Sequence, residues 1–350
     1  MLQELRLGTR GSQLALWQAH AVQAQLAAGG APPCRIVIIK TSGDRLQDAP
    51  LSDVGGKRLF VKEIEDALLR GDIDLAVHSS KDMPAVLPDG LAIGAVLPRE
   101  DPLDAVVLPV RLKADATYET ELRARHDSGS DMASGFSRTI ASIDDLVAVL
   151  GQSPSIGTGS VRRIAQLTRL MPGARFAPIR GNLDTRLRKL DERQHDALVL
   201  AAAGLRRLGY ASRIAVTLPP AACVPAPGQG IVAVEIRAGD HAVRSMVAPI
   251  DNSPAAAALT AERALVEALG GGCQTPVGAL ASPIGGDALD LVAVVVTLDG
   301  SRAVRGRLQG PRSAAAVTGR RLGEQLIADG ADEILAEARR AHGAVGGIQP

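Results

Sequence analysis

The chain of 350 residues is too long for one small hydrophobic core and predicts two or three domains. Its net charge of +1 gives no support for binding to nucleic acid or to a membrane surface. Three cysteines without a CxxC pair argue against a disulfide framework and a zinc site, so we expect no metal. No apolar stretch approaches the roughly 20 residues that span a bilayer, and we expect a reducing, cytoplasmic location.

Strands alternate with helices through the first part of the chain. Ser12 stands directly before an apolar helical face and is a candidate N-cap. The predicted elements are a strand at 4–9, the helix that Ser12 caps, a buried strand at 36–41, a helix at 60–71 and a strand at 74–79. This alternation indicates a mostly parallel sheet.

A second stretch of the chain repeats this order. Its predicted elements are a strand and turn at 155–160, a helix at 161–171, a strand at 175–182, a helix at 183–194 and a strand at 196–204. Two similar α/β lobes commonly bind a ligand in the crevice between them, at the carboxyl ends of the strands.

The rest of the chain divides into an insertion and a third unit. Residues 113–142 are polar, rich in serine and weakly periodic, which predicts an insertion at the surface. From residue 252 onward, a helix capped by Ser253, a glycine-rich loop, a hairpin with a DG turn and two further helices indicate a small α+β domain.

The predicted domain boundaries follow from these elements. The motif PAPGQG at 225–230 is typical of a tight turn between strands and of a crossover between domains. We expect domain 1 to comprise residues 1–98 and 229–248, domain 2 residues 103–225, and domain 3 residues 252–350.

Several arginines lie at the ends of predicted strands or the starts of predicted helices, where the crevice is expected. Arg162 and Arg163 occupy the first turn of a helix, where each cation costs roughly 0.3–1 kcal/mol against the helix dipole unless an anion binds there. Each arginine alone is typical of a solvated surface, but together they favour a site for an anionic ligand. The set is Arg10, Arg162, Arg163, Arg180, Arg186 and Arg207.

Two short motifs carry further candidates. In HSSKDMP, a hydrophobic strand ends directly at Lys81 and Asp82, which form either a reactive pair at the mouth of the sheet or a solvated turn; His78 is interpreted as a packed strand residue. In GGGCQTP, three glycines precede Cys273, whose thiol is either chemically used or inert. We interpret Cys34 and Cys223 as inert, buried cysteines.

The motifs of this chain resemble those of the porphobilinogen deaminase family. They occur in the family's order and read LGTRGSQLALWQAH, VGGKRLFVKE, AVHSSKDMP, REDPLDA, GTGSVRR, IRGNLDTRL, AGLRRLG, PAPGQG and GGCQTPVGA. The resemblance extends from residue 5 to about residue 340, apart from the insertion.

The resemblance implies a fold and an activity. The fold would be α/β, with two lobes like those of type 2 periplasmic binding proteins and a small α+β C-terminal domain with a three-stranded antiparallel sheet. Family members join four porphobilinogens head to tail into hydroxymethylbilane, release ammonia, and serve tetrapyrrole biosynthesis. Their cofactor is a covalently bound dipyrromethane, and we expect a monomer whose partners are porphobilinogen and the growing linear oligopyrrole.

The resemblance also implies roles for individual residues. Asp82 matches the catalytic aspartate, and Cys273 matches the cysteine that carries the cofactor through a thioether. The implied cofactor-binding residues are Lys81, Ser160, Arg162, Arg163, Arg186 and Arg207. The implied substrate-binding residues are Arg10, Ser12, Phe60 and Arg180.

The sequence departs from the family pattern at several positions. Asp53 stands where many members have a lysine that contributes to cofactor binding, and Gly159 replaces a frequent serine. The insertion at 113–142 is longer than the usual connection. The alternative function is a two-lobed protein that only captures an anionic molecule; Cys273 and the Lys81–Asp82 pair argue against it, because a receptor needs neither. A structural or interaction module has little support.

Overall fold

The computed structural model describes residues 3–45, 60–110, 143–270 and 275–345. The helices in these ranges are α1 (Gln13–Ala28), α2 (Ser42–Arg45), α3 (Lys62–Arg70), α4 (Ile143–Leu150), α5 (Val161–Leu170), α6 (Leu183–Asp191), α7 (Ala202–Arg207), α8 (His241–Val247), α9 (Ser253–Ala268), α10 (Ala315–Ala328) and α11 (Ala331–Val345). None of these helices is long and apolar enough to cross a membrane.

The strands form three sheets. They are β1 (Leu5–Thr9), β2 (Cys34–Ile38), β3 (Leu75–Ser79), β4 (Leu91–Val96), β5 (Asp104–Val107), β6 (Ser155–Gly157), β7 (Arg175–Ala177), β8 (Ala197–Ala201), β9 (Ile214–Leu218), β10 (Val232–Arg237), β11 (Val277–Pro283), β12 (Ala288–Val296) and β13 (Ala303–Pro311). Two sheets have five strands and the third has three.

The two five-stranded sheets share one plan. The first has the order β2-β1-β3-β10-β4, and the second has the order β7-β6-β8-β5-β9. In each, three neighbouring strands are parallel, and the fourth strand (β10 or β5) runs antiparallel to both of its neighbours. The chain crosses between the sheets after β4 and returns after β9. The prediction of two α/β lobes with a separate three-stranded antiparallel sheet is therefore confirmed.

Two predicted details are wrong. The strand expected at 36–41 is β2 at Cys34–Ile38, and it is an edge strand rather than a buried one, with Ile38 56% exposed. The cap expected at Ser253 is provided by Asn252, whose side chain accepts a hydrogen bond from the backbone N–H of Ala255 at 3.0 Å. Ser253 itself is the first residue of α9.

In the third domain, two helices pack closely against each other and share a core with the sheet. A β-carbon at Gly319 in α10 would lie 2.1 Å from the carbonyl oxygen of Ala261 in α9, so only glycine allows this approach. Leu265, Leu291 and Leu322 are buried in the core that α9, α10 and β12 share.

A buried ion pair joins this domain to the crossover segments. The Glu262 carboxylate in α9 accepts hydrogen bonds from the Arg99 guanidinium and from the backbone N–H groups of Gly228 (2.6 Å) and Ala281 (2.7 Å). Arg99 also donates from Nε to the carbonyl oxygen of Gln229 at 2.9 Å. The helix preceding the glycine-rich loop is thus fixed to the segment that lies between the lobes.

Candidate functional site

The Lys81–Asp82 pair lies in a short turn directly after β3. The backbone N–H of Ser80 donates to the carbonyl oxygen of Ile231 at 3.0 Å, and the N–H of Met83 donates to Ser80 at 3.1 Å. Gly228, with φ +74°, packs against this turn, where a β-carbon would lie 2.7 Å from Ser80 Oγ. The packing of Gly228 and these backbone hydrogen bonds together hold the backbone of Asp82 in place.

Lys81 lies among charges from both lobes. Its Nζ donates to Oε1 of Gln229 at 3.4 Å. Burial lowers the pKa of Lys81 to about 8, since Arg162 and Arg163 also oppose its charge and only Asp82 and Asp104 favour it. A bound anion at this point would favour the charged ammonium.

Arg162 is turned into the protein. Its two terminal nitrogens donate to Asp104 at 2.7 and 3.1 Å, and one of them also donates to the carbonyl oxygen of Val224 at 2.7 Å. Its Nε is buried without a hydrogen-bond partner among the described residues.

Arg163 shares the same carboxylate. Its Nε and Nη2 lie 2.9 and 2.8 Å from Oδ1 of Asp104, and Nη1 donates to the carbonyl oxygen of Val199 at 2.9 Å. Burial acts against the Asp104 charge, but the two guanidiniums outweigh it and hold the pKa of Asp104 far below its usual range.

Arg180 and Arg186 bring further positive charge to the same place. Arg186, in the first turn of α6, donates from Nε to the carbonyl oxygen of Gly181 at 2.8 Å. Burial and the neighbouring charges of Arg163 and Arg180 lower its pKa to about 10, against the favourable charge of Asp82. Asp82 from the first lobe therefore lies close enough to Arg186 of the second to favour its positive charge.

Arg10 and Phe60 lie together at the edge of the first lobe. The Arg10 guanidinium pairs with Asp44 and stacks on the Phe60 ring, with 4.3 Å between Cζ and the ring centroid. An aromatic ring beside a guanidinium suits a ligand that is both flat and anionic.

Arg207 connects the two lobes. It donates from Nη2 to the carbonyl oxygen of Gly230 at 2.7 Å, and its Cζ lies 5.4 Å from the centroid of the Trp17 ring. Arg207 was predicted to bind the cofactor, and these two contacts also link the lobes to each other.

Both candidate serines cap helices. Ser12 Oγ accepts from the N–H of Ala15 at 3.3 Å at the start of α1, as predicted. Ser160 Oγ accepts from the N–H of Arg163 at 3.5 Å at the start of α5. Each hydroxyl retains its own proton as a donor for a ligand.

Some predicted residues lie outside the described residues. These are Cys273, Asp53 and the whole of the insertion at 113–142. The two described cysteines are free, and burial raises the pKa of Cys34 to about 11 and that of Cys223 to about 12. Neither is therefore a thiolate at neutral pH.

The donor set fits a ligand with several carboxylates. In the cluster, cations outnumber carboxylates: Lys81, Arg162, Arg163, Arg180 and Arg186 face Asp82 and Asp104. Among the described residues no group of histidine, cysteine and carboxylate side chains could hold a metal ion.

Sequence reasoning missed two residues of this cluster. Asp104 begins a fully buried strand, and a charge in that position is a signal, because a carboxylate is almost never buried unless it is paired. Gln229 lies in the crossover motif PAPGQG, whose sequence indicates only a turn between strands and a crossover between domains. Its Nε2 donates to Asp104 at 2.9 Å and to the carbonyl oxygen of Pro102 at 2.7 Å.

Two family models match the chain. "Porphobilinogen deaminase, dipyromethane cofactor binding domain" matches residues 5–245, and "Porphobilinogen deaminase, C-terminal domain" matches residues 256–328.

Curated relatives match along almost their whole length. The chain is 42% identical to a porphobilinogen deaminase of Geobacter metallireducens over 335 residues, covering 95% of this chain and 94% of the relative. It is also 42% identical to one of Moorella thermoacetica over 341 residues, covering 97% and 98%. Among solved structures, the Bordetella pertussis BvgS VFT2 domain is similar with a TM-score of 0.37 and 15% identity, covering 71% of this chain and 86% of that one.

Proposed function

Because this chain belongs to the porphobilinogen deaminase family, we propose that Asp82 is its principal catalytic side chain and that the surrounding arginines hold the carboxylates of the ligand. The chain is a transferase of tetrapyrrole biosynthesis that joins four porphobilinogens head to tail into hydroxymethylbilane and releases ammonia. It is therefore an enzyme rather than a protein that only captures an anion.

The observation that carries the site assignment is that Asp82 lies close enough to Arg186 of the other lobe to favour its positive charge. Each pyrrole of the substrate carries an acetate and a propionate, so a growing chain is strongly anionic. Arginine offers forked N–H donors that match a carboxylate, and each charge-assisted hydrogen bond contributes about 1.5–3 kcal/mol. Arg180 and Arg186, which have no carboxylate partner in the described residues, are the first candidates for this contact.

Asp82 provides a fixed negative charge for the chemical step. When the C–N bond of the protonated aminomethyl group breaks, ammonia leaves with the electron pair and the positive charge passes to the pyrrole. A carboxylate close to the pyrrole N–H accepts its hydrogen bond and stabilises this charge without reorganising solvent. The tightly bonded turn after β3 keeps the carboxylate in that position.

The dipyrromethane cofactor supplies a covalently held primer whose free end is extended. Cys273 would carry it, and Lys81, Ser160, Arg162, Arg163, Arg186 and Arg207 would bind its carboxylates, which agrees with the surplus of positive charge in the cluster. Arg10, Ser12, Phe60 and Arg180 would bind the incoming porphobilinogen.

We further propose a cytoplasmic monomer. Both lobes of the site come from one chain, and the two described cysteines are free, which supports a reducing compartment. Native mass spectrometry at micromolar concentration tests the monomer, since a stable dimer would appear directly.

Single-turnover release of ammonia tests the role of Asp82. Protein loaded with preformed cofactor is compared as wild type, Asp82→Asn, Asp82→Glu and Asp89→Asn, the last being an exposed control carboxylate. We expect Asn to slow release by about a hundredfold or more, because it removes the charge, and Glu to retain measurable activity. Near-normal release by Asp82→Asn would assign the chemistry to another group.

A further inference from the structure

A buried carboxylate, Asp104, lies behind the arginines of the site. Asp104 is fully buried at the first position of β5, and its oxygens accept hydrogen bonds from Arg162, Arg163 and Gln229. Its Oδ2 also lies 3.4 Å from the Cys223 thiol. No water-exposed edge remains through which Asp104 could itself contact a substrate.

Arg162 and Arg163 are consecutive residues whose charges repel, and nothing in a helix start favours two cations there. One carboxylate compensates one of these charges and fixes both forks, with Nη1 and Nη2 of Arg162 and Nε and Nη2 of Arg163 directed at it. One positive charge is left over for a ligand.

The same carboxylate is connected to the first lobe. Gln229 donates from Nε2 to Asp104 and accepts from Lys81 at Oε1, so one buried amide joins the arginine pair to the residue next to Asp82. Gln229 is 1% exposed and also donates to Pro102, which prevents its amide from rotating freely.

We propose that Asp104 is a positioning residue: it holds Arg162, Arg163 and, through Gln229, Lys81 in the arrangement that receives the carboxylates of the cofactor. The inference rests on the proposed function and adds a residue to it. Loss of Asp104 should slow the loading of the cofactor, because the two arginines would rotate apart before an anion binds.

Charge alone predicts the opposite result. Removing a negative charge makes the site more positive, so an anionic cofactor would be attracted more strongly if orientation did not matter. Asn at position 104 has the shape of Asp, but its NH₂ group would face guanidinium N–H donors, and the pair would lose its fixed geometry. The rate of cofactor loading therefore distinguishes a positioning role of Asp104 from simple charge compensation.

Asp74 provides a matched control. It is a buried carboxylate, 3% exposed, and accepts from Arg6 Nη2 at 2.7 Å and from Arg6 Nε at 3.0 Å. It stands directly before β3, at the opposite end of that strand from Asp82. Asp74→Asn removes a buried, arginine-paired charge of the same kind without touching the site.

The experiment measures cofactor loading on the whole chain. Wild type, Asp104→Asn, Asp104→Glu and Asp74→Asn are stripped of cofactor, supplied with porphobilinogen and followed by intact mass, while thermal melts report stability. We expect Asp104→Asn to load about a hundredfold more slowly, the scale on which a misplacement of 1 Å acts, and Asp74→Asn to load at the wild-type rate although it melts lower.

Asp104→Glu covers the case in which Asp104→Asn does not fold. It keeps the charge and moves it by one methylene, so we expect a folded protein that loads about tenfold more slowly. Wild-type loading by either folded Asp104 variant would overturn the positioning role. A wild-type protein that acquires no adduct would instead overturn the proposed function itself, so the two failures are distinguishable.

Discussion

Arginines of identical chemistry have different surroundings in this site, and their surroundings determine what each can do. Arg162 and Arg163 are buried and committed to Asp104, whereas Arg180 and Arg186 face the cluster with no carboxylate partner in the described chain. Exposed Arg188, in the same helix as Arg186, pairs with Glu192 at the surface. The sequence placed Arg162, Arg163, Arg180 and Arg186 at strand ends or helix starts but could not distinguish these environments.

Replacing Arg180 by Ala should impair ligand binding more than folding. Loss of one charge-assisted contact costs about 1.5–3 kcal/mol, which corresponds to roughly a ten- to hundredfold rise in KM for porphobilinogen. Arg188→Ala is the control and should leave KM unchanged, because its ion pair is exposed. Steady-state kinetics and thermal melts separate the two effects. If Arg180→Ala melted far lower yet kept its specific activity, Arg180 would be structural.

The depressed pKa of Lys81 predicts a pH dependence of cofactor loading. With a pKa of about 8 before an anion binds, the ammonium loses its proton as the pH rises through 8, and the site loses a positive charge. Burial is the main cause of the lowered pKa, and the charged groups around Lys81 are Asp82 and Asp104, which raise it, and Arg162 and Arg163, which lower it. We expect the loading rate of cofactor-free protein to fall across roughly pH 7 to pH 9.

Lys81→Arg tests the assignment of this pH dependence. A guanidinium stays protonated over the whole range, so the fall in loading rate should disappear even if the absolute rate is lower. An unchanged fall in the arginine variant would show that a different group titrates.

Hydrogen bonds between residues that are far apart in the sequence could not be predicted. Ser12 was correctly expected as a cap, because the residue that it caps is three positions away. Asp104 meets Arg162 across 58 positions and Gln229 across 125 positions. Such pairs depend on how the lobes fold, and no local pattern encodes them.

At the scale of elements, the N-terminus of α9 illustrates how closely a cap can be assigned. Asn, Ser and Pro follow one another at 252–254, and both Asn and Ser are good N-cap residues. The structure selects Asn252, which leaves Pro254 near the start of the helix, where its missing N–H costs nothing.

Asn252→Ala should lower the free energy of unfolding by about 1 kcal/mol, the usual loss for an N-cap side chain. Ser253→Ala is the matched control and should change it by less than about 0.5 kcal/mol, because Ser253 makes no cap hydrogen bond. Urea titration of both variants gives the comparison. Equal losses would indicate that the cap is shared.

The burial and the direction of the strands were also only partly predictable from the sequence. Apolar residues in 36–41 correctly predicted a strand, which is observed at Cys34–Ile38, but its burial depended on whether a further strand would lie beside it. None does, so β2 is an edge. Likewise, the alternation of strands and helices predicted parallel pairing, whereas β5 and β10 enter their sheets in the opposite direction because each follows a crossover between the lobes.

For the whole molecule, family motifs and alternating elements were enough to predict the fold class and the activity. They were not enough to predict how the third domain is held. Glu262, Arg99 and the crossover backbone form a buried junction of three chain segments, and its members are far apart in sequence. This junction fixes α9, the helix that precedes the glycine-rich loop, to the crossover backbone.

The central claim is that this chain is a dipyrromethane-primed enzyme with its cofactor on Cys273. The most direct measurement is the intact mass of the purified protein, followed by peptide mapping. We predict an added mass equal to two porphobilinogen units less two ammonia, located on the peptide that contains Cys273 and absent from folded Cys273→Ser. Fully active protein with an unmodified Cys273 would contradict the account.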